Sequence, residues 1–169
     1  MKHKAKHTAI LGLMVALAFT LSYLESLLPI NLGIPGVKLG LANLVVVIVL
    51  YTLKPGEAFA IAMVRILLAA ATFGNPYSLA YSLCGGLLSF TVMLLMKKTN
   101  LSVIGVSILG GVSHNLGQIL IAAVLMGTTK IVYYFPVLLV AGLITGFLLG
   151  GISHIILLRL NTIDLNKGE

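Results

Sequence analysis

The sequence predicts an all-α integral membrane protein, a bundle of six transmembrane helices, and three observations carry that prediction. Of 169 residues, 59% are hydrophobic and 9% charged, whereas a soluble domain carries roughly 25% charged residues. The apolar residues fall in blocks about 18–25 long, the length that crosses a hydrocarbon core of ~30 Å. Those blocks are continuous, without the polar/apolar alternation of a membrane barrel, so the spans are helical.

Six spans fit into one membrane domain, residues 1–169, at about 8–28, 38–53, 56–72, 77–96, 101–126 and 131–160. The first has a basic start but is too long for a signal peptide and lacks a clear cleavage site, so it reads as a retained helix. The second opens out of the stretch NLGIPGVKLGLAN, Asn31 to Asn43, which places Lys38 at its mouth. The remaining breaks follow turn chemistry: Lys54-Pro55-Gly56, Gly74-Asn75-Pro76, Lys97 to Asn100, and Gly127 to Lys130.

Sidedness follows from the basic residues. Six spans put Lys2, Lys4, Lys6, Lys54, Lys97, Lys98, Arg159 and Lys167 on one side, and only Lys38 and Lys130 on the other. Both termini are therefore expected on the cytoplasmic side of the cell membrane. The net charge of +7 is spread over segment ends rather than one face, which speaks for the lipid bilayer as partner and against nucleic acid.

Several chemistries lack their residues. There is no P-loop, no His/Cys/Asp/Glu set at metal-site spacing, and no nucleophile with a base. Asp164 is the sole aspartate and Cys84 the sole cysteine, so Mg²⁺–diphosphate chemistry has no carboxylate set. The chain alone is not expected to be an enzyme, to bind metal or to need a cofactor.

The polar residues inside the spans instead gather in the half opposite the termini. Glu25 ends the first span there and Lys38 begins the second, with Asn43 about a turn and a half deeper. Arg65 lies past the middle of the third span, and Tyr77 and Tyr81 open the fourth. On a helix of 100° per residue, Ser107, Gly111, His114, Asn115, Gln118 and Ala122 share an arc of about 100°. Tyr77, Ser78, Tyr81, Ser82, Gly85 and Ser89 share a second, wider arc, and Arg65 lies in a stripe with Ala58, Ala62 and Ala69. These faces point to a common interior with Glu25, Lys38, Asn43, Arg65, Tyr77, Tyr81, His114, Asn115 and Gln118 as candidate solute contacts. Two cations against one carboxylate suit an anionic solute. Simpler roles stand beside this reading: an Arg65–Glu25 ion pair, hydrogen bonds between helices for His114, Asn115 and Gln118, and interfacial anchoring for the tyrosines.

Two stripes of small residues suggest close helix contacts. Ala5, Ala9, Gly12 and Ala16 line the first span, opposite Ala18, Ser22 and Glu25, and can face either a neighbouring helix or a separate protein. Gly142, Gly146 and Gly150 line the sixth, where internal packing is expected.

The segments SYLESLLP and GIPGVKLGLAN, together with GGVSHNLGQ in the fifth span, resemble the Gx transporter family, also labelled heptaprenyl diphosphate synthase component I. The resemblance covers about Thr8 to Leu160. That family is similar to the S components of energy-coupling factor transporters, six-helix proteins that bind nutrients from outside. The resemblance implies uptake of a small solute driven by partners, namely a coupling transmembrane subunit and ATPases. It also implies that an A-x-x-x-A pattern on the first helix docks the coupling subunit. Gly12 and Ala16 match it with Gly for the first Ala, and Ala5 and Ala9 repeat it one step earlier. The alternative is an accessory membrane subunit of heptaprenyl diphosphate synthase, in quinone or isoprenoid metabolism, without a catalytic site of its own.

Overall fold

A computed structural model describes residues 2–27 and 40–165, with side chains for 4–27 and 40–160. Among them, α1 (Lys2–Leu27), α2 (Asn43–Thr52), α3 (Pro55–Thr72), α4 (Pro76–Met96), α5 (Val103–Met126) and α6 (Phe135–Leu165) follow in order. A 3-10 turn, Thr129–Tyr134, leads into α6.

Five of these helical segments are long and apolar enough to cross a membrane, and α2, at ten residues, is not. At 1.5 Å per residue α2 is ~15 Å long, half of a ~30 Å core. The expectation of a second full span starting at residue 38 is thus corrected: the described helix starts at Asn43, and Lys38 lies outside the described residues. Gly40 adopts φ +87°, a left-handed conformation that no right-handed helix contains, so α2 can begin only after it. Hydrophobicity alone gave no sign of that break.

Elsewhere the boundaries follow local chemistry. Pro55 occupies the first position of α3, and Glu57 Oε2 accepts the Lys54 N–H at 3.2 Å, which satisfies an orphan donor and sets a negative charge at the helix start. Asn75 and Ser78 cap α4 reciprocally. Asn75 Oδ1 accepts the Ser78 N–H at 2.8 Å, and Ser78 Oγ accepts the Asn75 N–H at 2.9 Å. Ser102 caps α5, and Gly127 closes it at φ +61°.

Although short, α2 is the axis of the bundle. Val45 to Leu50 are all buried, and α2 packs on each of the other five α-helices. A helix that is apolar all round belongs in such an interior. Its C-terminal end is held from α4, where Lys97 Nζ donates to the Leu50 carbonyl at 2.6 Å and lies 5.0 Å from the centre of the Tyr51 ring.

The tightest seam joins α5 and α6, and the glycine stripe of α6 builds it. A Cβ on Gly146 would stand 2.6 Å from Ile108 Cα, and one on Gly150 2.8 Å from Ser107 Cβ. Gly111 meets the Gly142 carbonyl in the same way, 2.6 Å from where a Cβ would lie. On the other side of α5, Ser89 Oγ of α4 donates to the Gly110 carbonyl at 2.8 Å.

By contrast, α1 leans on α3 and α2, and among the described residues it makes no contact with α6. Ala5, Ala9, Gly12 and Ala16 are exposed. A Cβ on Gly12 would have nothing within 4 Å among the described residues. The start of α1 is tied down by His7 Nε2, 2.8 Å from Glu57 Oε1 of α3.

Candidate functional site

At the end opposite the termini, α1 turns Ala18, Ser22 and Glu25 inward, and all three are buried. Spacings of four and three place them on one face. The Glu25 carboxylate accepts the backbone N–H of Gly40 at 2.5 Å and of Leu41 at 3.1 Å. Hydrogen bonds to an ionised acceptor are the stronger kind, so Glu25 fastens the entry of α2 to α1.

From α3, Arg65 reaches the same place and is only 5% exposed. Its Nη1 donates to Ser22 Oγ at 3.3 Å and its Nη2 to Asn43 Oδ1 at 3.5 Å. Its Nε has no hydrogen-bond partner among the described residues. An arginine at the centre of a bilayer costs ~2.5–3.5 kcal/mol on insertion scales, and here two long hydrogen bonds to neutral oxygens and the charge of Glu25 act against that cost. The Glu25 carboxylate, one turn of α1 beyond Ser22, accepts from the backbone of residues 40 and 41 and also acts on the Arg65 charge.

The other half of the cluster comes from α5. His114 and Gln118 are buried, with Gln118 Nε2 3.1 Å from His114 Nε2. The Gln118 Oε1 atom is buried without a hydrogen-bond partner among the described residues. Gly85 of α4 makes the room: a Cβ there would lie 2.8 Å from the His114 carbonyl and 3.1 Å from its ring Cε1. Gly40 joins the two halves, because a Cβ on it would come 2.9 Å from Asn43 Nδ2 and 3.7 Å from His114 Cδ2. Glu25, Asn43, Arg65, His114 and Gln118 therefore form one contiguous polar patch inside an apolar bundle. Below it, a cavity of about 10 Å³ bordered by Asn43, Ser107 and Thr145 has room for about one water.

The other sequence candidates are placed differently. Asn115 faces α6, where its Nδ2 donates to the Leu138 carbonyl at 2.7 Å, so that group links two helices. Tyr81 is 2% exposed and packs in an apolar cluster with Ile119, Ala122 and Leu138. Tyr77 is 61% exposed and stands outside the polar patch; in the first turn of α4 it is Ser78 that turns inward and is buried. Lys38 lies outside the described residues, and so does any contact it makes.

Two participants were absent from the sequence candidates. Ser22 is one, and its signal was its position one turn before Glu25 on the same face. Gly40 is the other; its role comes from backbone geometry, for which the sequence offers only a glycine in a stretch rich in them.

The sequence profile of a family described as heptaprenyl diphosphate synthase component I matches residues 14–156. The chain belongs to that family. The match runs from the middle of α1 to late in α6, so it includes every residue of the polar patch. No curated protein and no solved structure matches the chain. Membership in the heptaprenyl diphosphate synthase component I family agrees with the resemblance drawn from the GIPGVKLGLAN and GGVSHNLGQ segments.

Proposed function

We propose that this protein is a membrane subunit that captures a small anionic solute in the patch around Arg65 and passes it inward with ATP-driven partner subunits. In this reading both termini are cytoplasmic, the patch opens outward, and the coupling subunit docks on the Ala5, Ala9, Gly12 and Ala16 face of α1. The observation that carries the reading is the buried Arg65, whose two hydrogen bonds are long and go to neutral oxygens and whose Nε is unpaired among the described residues. A solute with a carboxylate or phosphate supplies the missing acceptors, and Gln118 and His114 read its polar remainder. The exposed small-residue face of α1 supports the partner, since no described helix covers it.

The test is native mass spectrometry of the gently purified chain, looking for a retained small molecule. We expect Arg65→Met to insert and fold, because the costly buried guanidinium is removed while the Glu25 carboxylate keeps the backbone N–H groups of Gly40 and Leu41. We also expect it to lose the retained molecule, with at least a hundredfold weaker binding. Unchanged affinity removes Arg65 from the site.

The family description favours a second reading, a membrane component of a prenyl diphosphate synthase. Co-purification separates the two: ATPase and coupling subunits support uptake, whereas a soluble prenyltransferase supports the synthase reading.

A further inference from the structure

The two ends of α1 are fastened in different ways. Near its C-terminal end the ties are buried: the Glu25 carboxylate accepts the N–H groups of Gly40 and Leu41, and Ser22 Oγ accepts from Arg65 at 3.3 Å. At the other end Lys4 to Ile10 are all exposed. Among the described residues, one hydrogen bond joins that stretch to another helix, between His7 Nε2 and Glu57 Oε1 of α3 at 2.8 Å. The two side chains are 47% and 24% exposed, so water and salt reach the pair. Exposed ion pairs shift an equilibrium by no more than about fivefold. This end of α1 is the weakly held one.

It also has somewhere to go. Among the described residues α1 and α6 make no contact, and a groove of about 720 Å³ separates them over the C-terminal half of α2. Ile10 and Met14 line it from α1, Leu157 and Leu158 from α6, and Tyr51 and His154 add polar groups. Helices in a bilayer associate through packing and interhelical hydrogen bonds, and closing the groove supplies both.

We infer that the His7–Glu57 pair is a pH-sensitive latch. It holds the N-terminal third of α1 against α3, and its release lets α1 tilt about its buried end and close on α6. Imidazole is the side chain whose charge ordinarily changes between about pH 5 and 8, whereas a carboxylate stays ionised there. A protonated His7 meets Glu57 with opposite charge as well as a hydrogen bond; a neutral one has only the hydrogen bond. The latch is therefore tight in acid and slack above neutrality. The other described charged or titratable groups at this end are Lys54 before α3, Lys4 and Lys6 on α1, Tyr51 on α2, Lys97 and Lys98 at the end of α4, and His154 and Arg159 on α6. Lysine, arginine and tyrosine keep their charge state across that range. His154 acts in the same direction as His7, because a protonated imidazole resists being enclosed between helices. The small-residue face of α1 tilts with the helix, so the latch sets how that face is presented, although the inference needs no partner to hold.

The test is a distance measurement by pulsed electron paramagnetic resonance on the full chain in phosphatidylcholine nanodiscs. Spin labels are attached through Leu13→Cys and Ile155→Cys, both exposed positions, in a chain that also carries Cys84→Ser. Spectra are compared at about pH 5 and about pH 8, the two ends of imidazole titration. We expect a longer and a shorter distance between α1 and α6, the shorter gaining about twofold to fivefold in population at the higher pH. His7→Ala should favour the shorter distance at both pH values. His7→Lys, which keeps a cation opposite Glu57, should hold the longer one at both. Identical distributions in His7→Ala and the unsubstituted chain overturn the latch. A pH response that survives in His7→Lys assigns the titration to His154 and overturns it too. A distance that lengthens on release overturns closure onto α6, and the proposal with it.

Discussion

Two stripes of small residues look alike in the sequence and do opposite things in the structure. On α6, Gly142, Gly146 and Gly150 press against the backbone of α5, leaving no space for a methyl group. On α1, Ala5, Ala9, Gly12 and Ala16 stand exposed, and a Cβ on Gly12 would point into open space among the described residues. Small residues permit close approach, but permission is not contact. A stripe used within the chain registers as stability. A stripe left open registers only when something else arrives.

Substitutions can break or sharpen that contrast. The largest effect is expected from Gly146→Leu, whose Cβ would sit 2.6 Å from Ile108 Cα. Backbone cannot step aside as a flexible side chain can, so a loss of about 3 kcal/mol follows from overpacking, read as a large fall in the thermal unfolding midpoint in detergent. A midpoint equal to that of the unsubstituted chain would mean that the α5–α6 seam is looser than described.

Asn115→Ala tests the same seam by hydrogen bonding. It leaves the Leu138 carbonyl without its 2.7 Å donor. Bonds between helices in membranes average ~0.6 kcal/mol with a maximum near ~1.7, so a cost of about 1 kcal/mol is expected. If Asn115 contacts solute instead, its loss will lower affinity at unchanged stability, and paired measurements of melting and ligand retention distinguish the outcomes.

The smallest effect on folding belongs to Gly12→Leu. Its new side chain meets open space, so stability should stay within ~0.5 kcal/mol. Its consequence should lie in association: the variant is expected to lose co-purifying membrane partners that the unsubstituted chain retains. Equal recovery of those partners would take Gly12 out of the docking face.

The same contrast marks what the sequence could tell. Helical phase was legible wherever a helix has two unlike sides. Ser107, His114, Asn115 and Gln118 on α5 are all buried, as are Ala18, Ser22 and Glu25 on α1, because a 3.6-residue period converts spacing directly into a face. Turn chemistry likewise located the starts of α3, α4 and α5. Phase says nothing about a helix buried on every side, and α2 is one, so its length was misjudged. Nor can phase choose between neighbours at the first turn of a helix, where Tyr77 and Ser78 parted ways. Which stripe finds a companion depends on how α1 and α6 splay, a property of the assembled bundle rather than of either segment. The polar patch was half visible: its side chains could be named, but the backbone amides of Gly40 and Leu41 that receive Glu25 could not.

The brevity of α2 has one more consequence. Its first residue, Asn43, accepts from the Arg65 guanidinium, and its final turn is fastened by Lys97 at the opposite pole. The two places are thus the ends of one stiff spindle gripped by all five of its companions. No loop lies between those two ends, only the ten residues of α2.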